Sequence, residues 1–305
     1  MSWHWPRSNA ISIAGVFAIA CGAAQPSANN AQVAAEPPAA APAKSDASDS
    51  LSALREKLSA GPQLSELNLA AKGFGPELGP LLAESTALSA LTSLNVSDND
   101  LGIEGTLALA RSPYLKGVRE LDLGGNDIGD EGARAIAQTA ALSGLETLNV
   151  SGNSIGSSGA SALTRGLLGR LSSLDLSMNG IGDVGTTALE NGKLPLKSLY
   201  LLGCEIGPTG AQMLARAKGL RQLEVLALSG NKLGDEGARA LAQSTALQNL
   251  QTLDLCANEI GELGALSLAE STHFKKLKVI ELFGNEIGSR GSAALRKRFG
   301  AGLHL

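Results

Sequence analysis

The chain has 305 residues, with 25 basic side chains against 29 acidic ones and a net charge of −4. That near-balance excludes a general nucleic-acid binder. Aromatics make up 3 %, and the 37 glycines follow no Gly-X-Y order, which excludes a collagen-like chain.

At the amino terminus Arg7 precedes a short apolar run, ISIAGVFAIA (11–20). Crossing a bilayer takes about 20 apolar residues, so the run predicts the core of a signal peptide over 1–20. Its end, Ala18-Ile19-Ala20-Cys21, resembles the lipobox of bacterial lipoproteins, with Ala18 where that family usually has Leu. The resemblance implies that Cys21 is acylated, heads the mature chain and anchors it in the bacterial cell envelope; plain secretion is the alternative. Residues 21–49 are built from Ala, Pro, Ser and Asn with almost nothing large and apolar, which predicts a disordered tether reaching roughly 30 Å. From Ser50 the texture changes. Leu51, Leu54 and Leu58 share one helical face behind the N-cap candidates Asp49 and Ser50, predicting a capping helix over 50–63.

Further along, LDLGGNDIGDEGARAIAQ (121–138) returns as LALSGNKLGDEGARALAQ (226–243), 13 of 18 positions identical at an offset of 105 residues. Aligning the chain on L-x-x-L-x-L shows that the phrase is written nine times, starting at Leu64, Leu91, Val118, Leu145, Leu171, Leu196, Leu223, Leu250 and Leu277. Successive spacings are 27, 27, 27, 26, 25, 27, 27 and 27 residues. In each copy L-x-L is a short strand of period two, and a run such as GARAIAQTAAL (132–142) is a helix of small residues lying close behind it.

The ninth position reads Lys72, Asn99, Asn126, Asn153, Asn179, Cys204, Asn231, Asn258 and Asn285. A carboxamide there can donate to and accept from backbone groups of neighbouring coils, so Asn99 to Asn285, with Cys204 as a small buried substitute, form a structural ladder. Lys72 breaks it in the first copy, as befits a terminal coil. Period and ninth-position residue resemble the leucine-rich repeat, and N-x-I-G-x-x-G-A-x-x-L-A resembles its ribonuclease-inhibitor subclass. Similar repeats occur in the Ran GTPase-activating protein and in bacterial effectors named for a G-A-L-A motif. The resemblance covers 64 to about 299 and implies an α/β fold over 64–305: a curved solenoid of about nine repeats, strands concave and helices convex, with a carboxy-terminal cap.

Chemistry is hard to find in these residues. Gly152-Asn153-Ser154-Ile155-Gly156 matches G-x-S-x-G, but Ser154 is only the variable residue of N-x-I-G. His4, His273 and His304 pair no base with a nucleophile, and Asp98-Asn99-Asp100 with Glu104 lacks the remaining spacing of a calcium loop. The expectation is a non-enzyme without cofactor, metal or small-molecule substrate.

Binding remains, and such arrays bind through exposed strand positions. The fifth and tenth positions of the nine copies, eighteen sites in all, carry nine acids and one base. That predicts a basic or neutral protein partner and no nucleic acid, although L-D-L is also ordinary repeat consensus. Copy six shows Tyr200 and Leu202 to solvent beside Met178 and Val225, with Asp254, Cys256, Glu281 and Phe283 further along. These eight residues are the expected partner-binding surface; local packing that compensates for the two shortened copies is the alternative. Cys204 points inward and Cys256 outward, so Cys256 is the expected reactive thiol; one strand lies between them, placing them roughly 10 Å apart, too far for a disulfide. The function read from all this is an interaction module tethered to a bacterial membrane only through its lipid. A regulator resembling the Ran GTPase-activating protein is the alternative.

Overall fold

The computed structural model describes residues 44–61, 63–190 and 192–305. The signal segment, Cys21 and the tether up to residue 43 lie outside the described residues. The first element, α1 (Lys44–Ala60), begins six residues before the expected boundary at Ser50, inside the stretch assigned to the tether. Pro42 is the last proline of that stretch, so nothing after it prevents helical backbone. Leu54 and Leu58 of α1 are buried and Leu51 partly so, and this face closes the amino-terminal end of the core.

Each of the nine copies contributes one three-residue strand: β1 Glu66–Asn68, β2 Ser93–Asn95, β3 Glu120–Asp122, β4 Thr147–Asn149, β5 Ser173–Asp175, β6 Ser198–Tyr200, β7 Val225–Ala227, β8 Thr252–Asp254 and β9 Val279–Glu281. A tenth, β10 (Leu303–His304), forms within the expected cap. Behind them run α2 Leu78–Ala83, α3 Gly102–Ala110, α4 Gly129–Gln138, α5 Ser157–Arg165, α6 Gly182–Glu190, α7 Pro208–Arg216, α8 Gly234–Ala242, α9 Glu262–Glu270 and α10 Gly288–Phe299. All strands are parallel, in chain order and in register, so each repeat position sits beside itself in the next coil. Paired strands lie about 4.8 Å apart and a helix is about 10 Å wide, so the strands take the concave side and the helices the convex side.

Within a coil the first, fourth, sixth and eleventh positions form the core. Leu145, Leu148, Val150 and Ile155 are at most 1 % exposed, and burying each side chain stabilises by roughly 1.5–3 kcal/mol. The small residues let helix meet helix. A Cβ on Gly105 of α3 would stand 2.8 Å from the Pro76 carbonyl oxygen just before α2. At the far end Arg298 of α10 donates to the Leu268 and Ala269 carbonyls at 3.1 and 2.8 Å, covering the last turn of α9.

Candidate functional site

Most ladder side chains hydrogen-bond the coil before them in one pattern. Asn153 accepts from the N–H groups of Asn126 (2.9 Å) and Ile128 (3.3 Å), and its amide donates to the Leu123 and Ser151 carbonyls, both at 2.9 Å. Asn99, Asn126, Asn179, Asn231 and Asn285 repeat the pattern. Lys72 is exposed, since the first coil has no preceding coil to serve. Cys204 carries a single proton, donated toward the Leu176 and Leu202 carbonyls, and burial pushes its thiol up to about 12. In the coil before it, the Ile181 N–H turns to the Asn179 carbonyl instead, at 2.9 Å. Asn258 is the other exception. Neither the Asn231 nor the Leu233 N–H reaches it, and Asn258 Oδ1 is left buried without a hydrogen-bond partner.

The concave face is built from the third, fifth and seventh positions. At the fifth, the carboxamide or carboxylate bends back to accept the N–H two residues on: Asn95 from Ser97, Asp122 from Gly124, Asn149 from Ser151, Asp175 from Ser177 and Asp254 from Cys256, at 2.8 to 3.0 Å. These acids hold the strand exits in place. Burial raises the pKa of Asp122, Asp175, Asp254 and Glu281 above the ordinary carboxylate value. The tenth-position acids Asp100, Asp127, Glu205, Glu259 and Glu286 are exposed. Of the fifth- and tenth-position acids, the exposed ones therefore lie along the edge where the chain leaves the strands.

The eight expected binding residues separate into two groups. Met178 is 66 % exposed, while Tyr200, Leu202 and Val225 are half-buried rather than open to solvent. The Met178 N–H donates to the Leu202 carbonyl at 2.6 Å, Ser198 pairs with Val225 across β6 and β7, and the Ser198 side chain hydrogen-bonds Tyr200. These four make one patch over coils five to seven.

In the second group Asp254 and Cys256 contradict their expected exposure. Asp254 and Cys256 are each 1 % exposed, so neither stands open to a partner, and Cys256 is not the accessible thiol foreseen. The physical reason is lateral packing in register. Asp254 lies between Ala227 and Glu281, takes hydrogen bonds from the Ser229 hydroxyl and from the Cys256 N–H and thiol, and Phe283 stands in the next coil beside Cys256. Phe283 itself is 44 % exposed. Among the described residues neither Cys204 nor Cys256 forms a disulfide.

One device was missed in the sequence. Asp130 accepts from the N–H groups of Gly156 and Gly159, Asp183 from Gly207 and Gly210, and Asp235 from Gly261 and Gly264, all at 2.7 to 2.9 Å. An aspartate at the helix start of coils three, five and seven thus caps the helix of the following coil. Gly159, Gly210 and Gly264 are obligatory, since a Cβ would come within 2.5 to 2.7 Å of the carboxylate. The signal was present: Gly-Asp opens helices α4, α6 and α8, and never α5, α7 or α9. The structural unit is a pair of coils, and the duplicated phrase recurs after two such pairs. On the convex side a groove of about 550 Å³, lined by Arg216, Lys218, Arg221, Arg239 and Glu236, lies far from the concave rows.

Comparison with known proteins bears on the fold alone. Residues 88–110, 118–137, 144–163, 171–189, 194–215 and 220–242, one segment in each of coils two to seven, match the family model described as Leucine Rich repeat. No curated protein matches. With one parallel strand and one helix per coil, residues 64–305 form a leucine-rich-repeat solenoid.

Proposed function

We propose that this solenoid is a non-catalytic interaction module of the ribonuclease-inhibitor-like subclass, tethered to a bacterial membrane through Cys21. Its concave face takes a basic or neutral protein around Met178, Tyr200, Leu202 and Val225. Met178 carries the reading. At its position the backbone is left-handed in every coil, and five of nine coils place glycine there. Met178 adopts φ 56° and is 66 % exposed, a conformation costing a side chain about 1–2 kcal/mol. A large apolar group held there against conformational preference leaves most of its surface, 66 %, open to solvent; a partner's surface would cover it. The exposed acids along the strand-exit edge support a basic or neutral partner. The coil length near 27 residues supports the subclass.

Site-specific photo-cross-linking in cells tests the reading. A cross-linker at Tyr200 should trap one saturable protein adduct, lost on Met178→Asp, while a cross-linker at exposed Val184 on α6 traps none. Equal adducts from both positions would remove the concave face from consideration.

A further inference from the structure

The carboxy-terminal end of the concave face brings two carboxylates, a thiol and an imidazole together. Asp254, Glu281 and His304 are the fifth-position residues of β8, β9 and β10, paired directly across neighbouring strands. Cys256 follows Asp254 by two residues on the same face. The carboxylate oxygens of Asp254 and Glu281 and the Cys256 sulfur all lie within 4.8 Å of one another. His304 Nδ1 stands 3.7 Å from Glu281 Oε1. Among the described residues, neither the Asp254 nor the Glu281 carboxylate forms an ion pair with a lysine or arginine.

The geometry points to a divalent zinc-class metal site formed by Asp254, Cys256, Glu281 and His304. Zinc takes thiolate sulfur at about 2.3 Å and imidazole nitrogen or carboxylate oxygen at about 2.0–2.2 Å in a tetrahedron, which sets ligand atoms roughly 3.5 Å apart. The Asp254, Cys256 and Glu281 donor atoms, within 4.8 Å of one another, would have to draw closer to reach that spacing, and His304 would have to turn in from beside Glu281. The donor set selects the ion: one sulfur and one imidazole favour zinc over calcium or magnesium, which prefer all-oxygen shells. A supporting shell is present as well. The Ser229 hydroxyl and the Cys256 N–H both donate to the Asp254 carboxylate, fixing its orientation. Asp254 and Cys256 would close the site from within the array, and the His304 side chain, 58 % exposed, would turn in from the solvent side.

Binding would release the Cys256 thiol proton to water as the thiolate forms. The ion would then staple β8, β9 and β10 together. That gives a two-residue terminal strand more to hold it than its few backbone hydrogen bonds, and stabilises the open end of the solenoid. The inference stands apart from the partner-binding reading, since its readout involves no partner.

Cobalt(II), a spectroscopic substitute for zinc, tests it on the reduced full chain. The expected result is one equivalent bound per chain, with a thiolate-to-cobalt charge-transfer absorption and the intense visible bands of tetrahedral coordination. Cys256→Ser should abolish the charge-transfer absorption, and Cys21→Ser should leave it intact. His304→Ala, at an exposed position, should leave the metal-free melting temperature unchanged, weaken zinc binding at least tenfold and abolish the rise in melting temperature that zinc gives the parent chain. Absence of the charge-transfer absorption in the parent, its persistence in Cys256→Ser, or parental zinc affinity in His304→Ala would overturn the site.

Discussion

Single side chains in this molecule are judged by the hydrogen bonds they close. Asn153 serves two N–H groups and two carbonyls, and all but the Ser151 bond are buried once the coils are stacked. Asn153→Ala should therefore destabilise by about 1–3 kcal/mol. Asn149 is only half-buried, yet it accepts from Ser151 N–H and donates to Asp122, so it is not the bare surface residue its strand position implies. Asn149→Ala should cost about 0.5–1.5 kcal/mol, and denaturant midpoints measured side by side should fall in that order. Asp175 offers a test of sign. Burial, then the nearby Asp122, raises its pKa above 3.8, with the Ser177 hydrogen bonds opposing. The folded chain thus holds this proton to higher pH than the unfolded chain. The group's contribution is most favourable below the ordinary carboxyl value and is lost as pH rises through the raised one. Asparagine makes the same turn at Asn95 and Asn149 without charge. Asp175→Asn should raise the melting temperature at neutral pH and flatten its dependence between acid and neutral; a pH profile parallel to the parent's would refute this account.

At the scale of the element, the coil-to-coil aspartate caps decide how helices start. Asp183 satisfies two N–H groups at the first turn of α7, Gly207 at 2.7 Å and Gly210 at 2.9 Å. Removing an N-cap acceptor costs typically about 1 kcal/mol, so Asp183→Ala should lower stability by that amount. It should also speed amide exchange at Gly207 and Gly210 while sparing Gly156 and Gly159, which Asp130 caps. Uniform acceleration at both helices would mean that coils do not act in pairs. This is also where reading from sequence alone runs short. The L-x-L strands, the inward leucines and the Asn ladder were legible because each depends on its own coil's spacing, repeated nine times. The caps join residues 24 to 29 positions apart, and each looks locally like an ordinary helix-start acid. The binding surface was legible only by row. Position parity placed Cys256 and Asp254 on the concave side correctly but could not show that Ser229, Glu281 and Phe283 would cover them. The meeting of His304 with Glu281 depends on β10, which carries no L-x-x-L-x-L signal at all.

For the whole molecule, the question is what holds it where a partner is met. Among the described residues no helix is long and apolar enough to cross a membrane. The apolar run at 11–20 is about half the length that spanning requires. If the protein is retained at a membrane, a covalent lipid on Cys21 is the attachment the sequence supports. One acyl chain gives only marginal, reversible binding, whereas two or more hold firmly, so retention should be complete rather than partial. The native protein should partition entirely with membranes and yield an amino-terminal peptide beginning at an acylated Cys21. Cys21→Ala should leave the fold unchanged, because the residues it would affect lie outside the solenoid, and should move the protein to the soluble fraction. An intact Met1 in the mass of the native protein, or a Cys21→Ala variant still found with membranes, would show that the anchor assigned here is wrong.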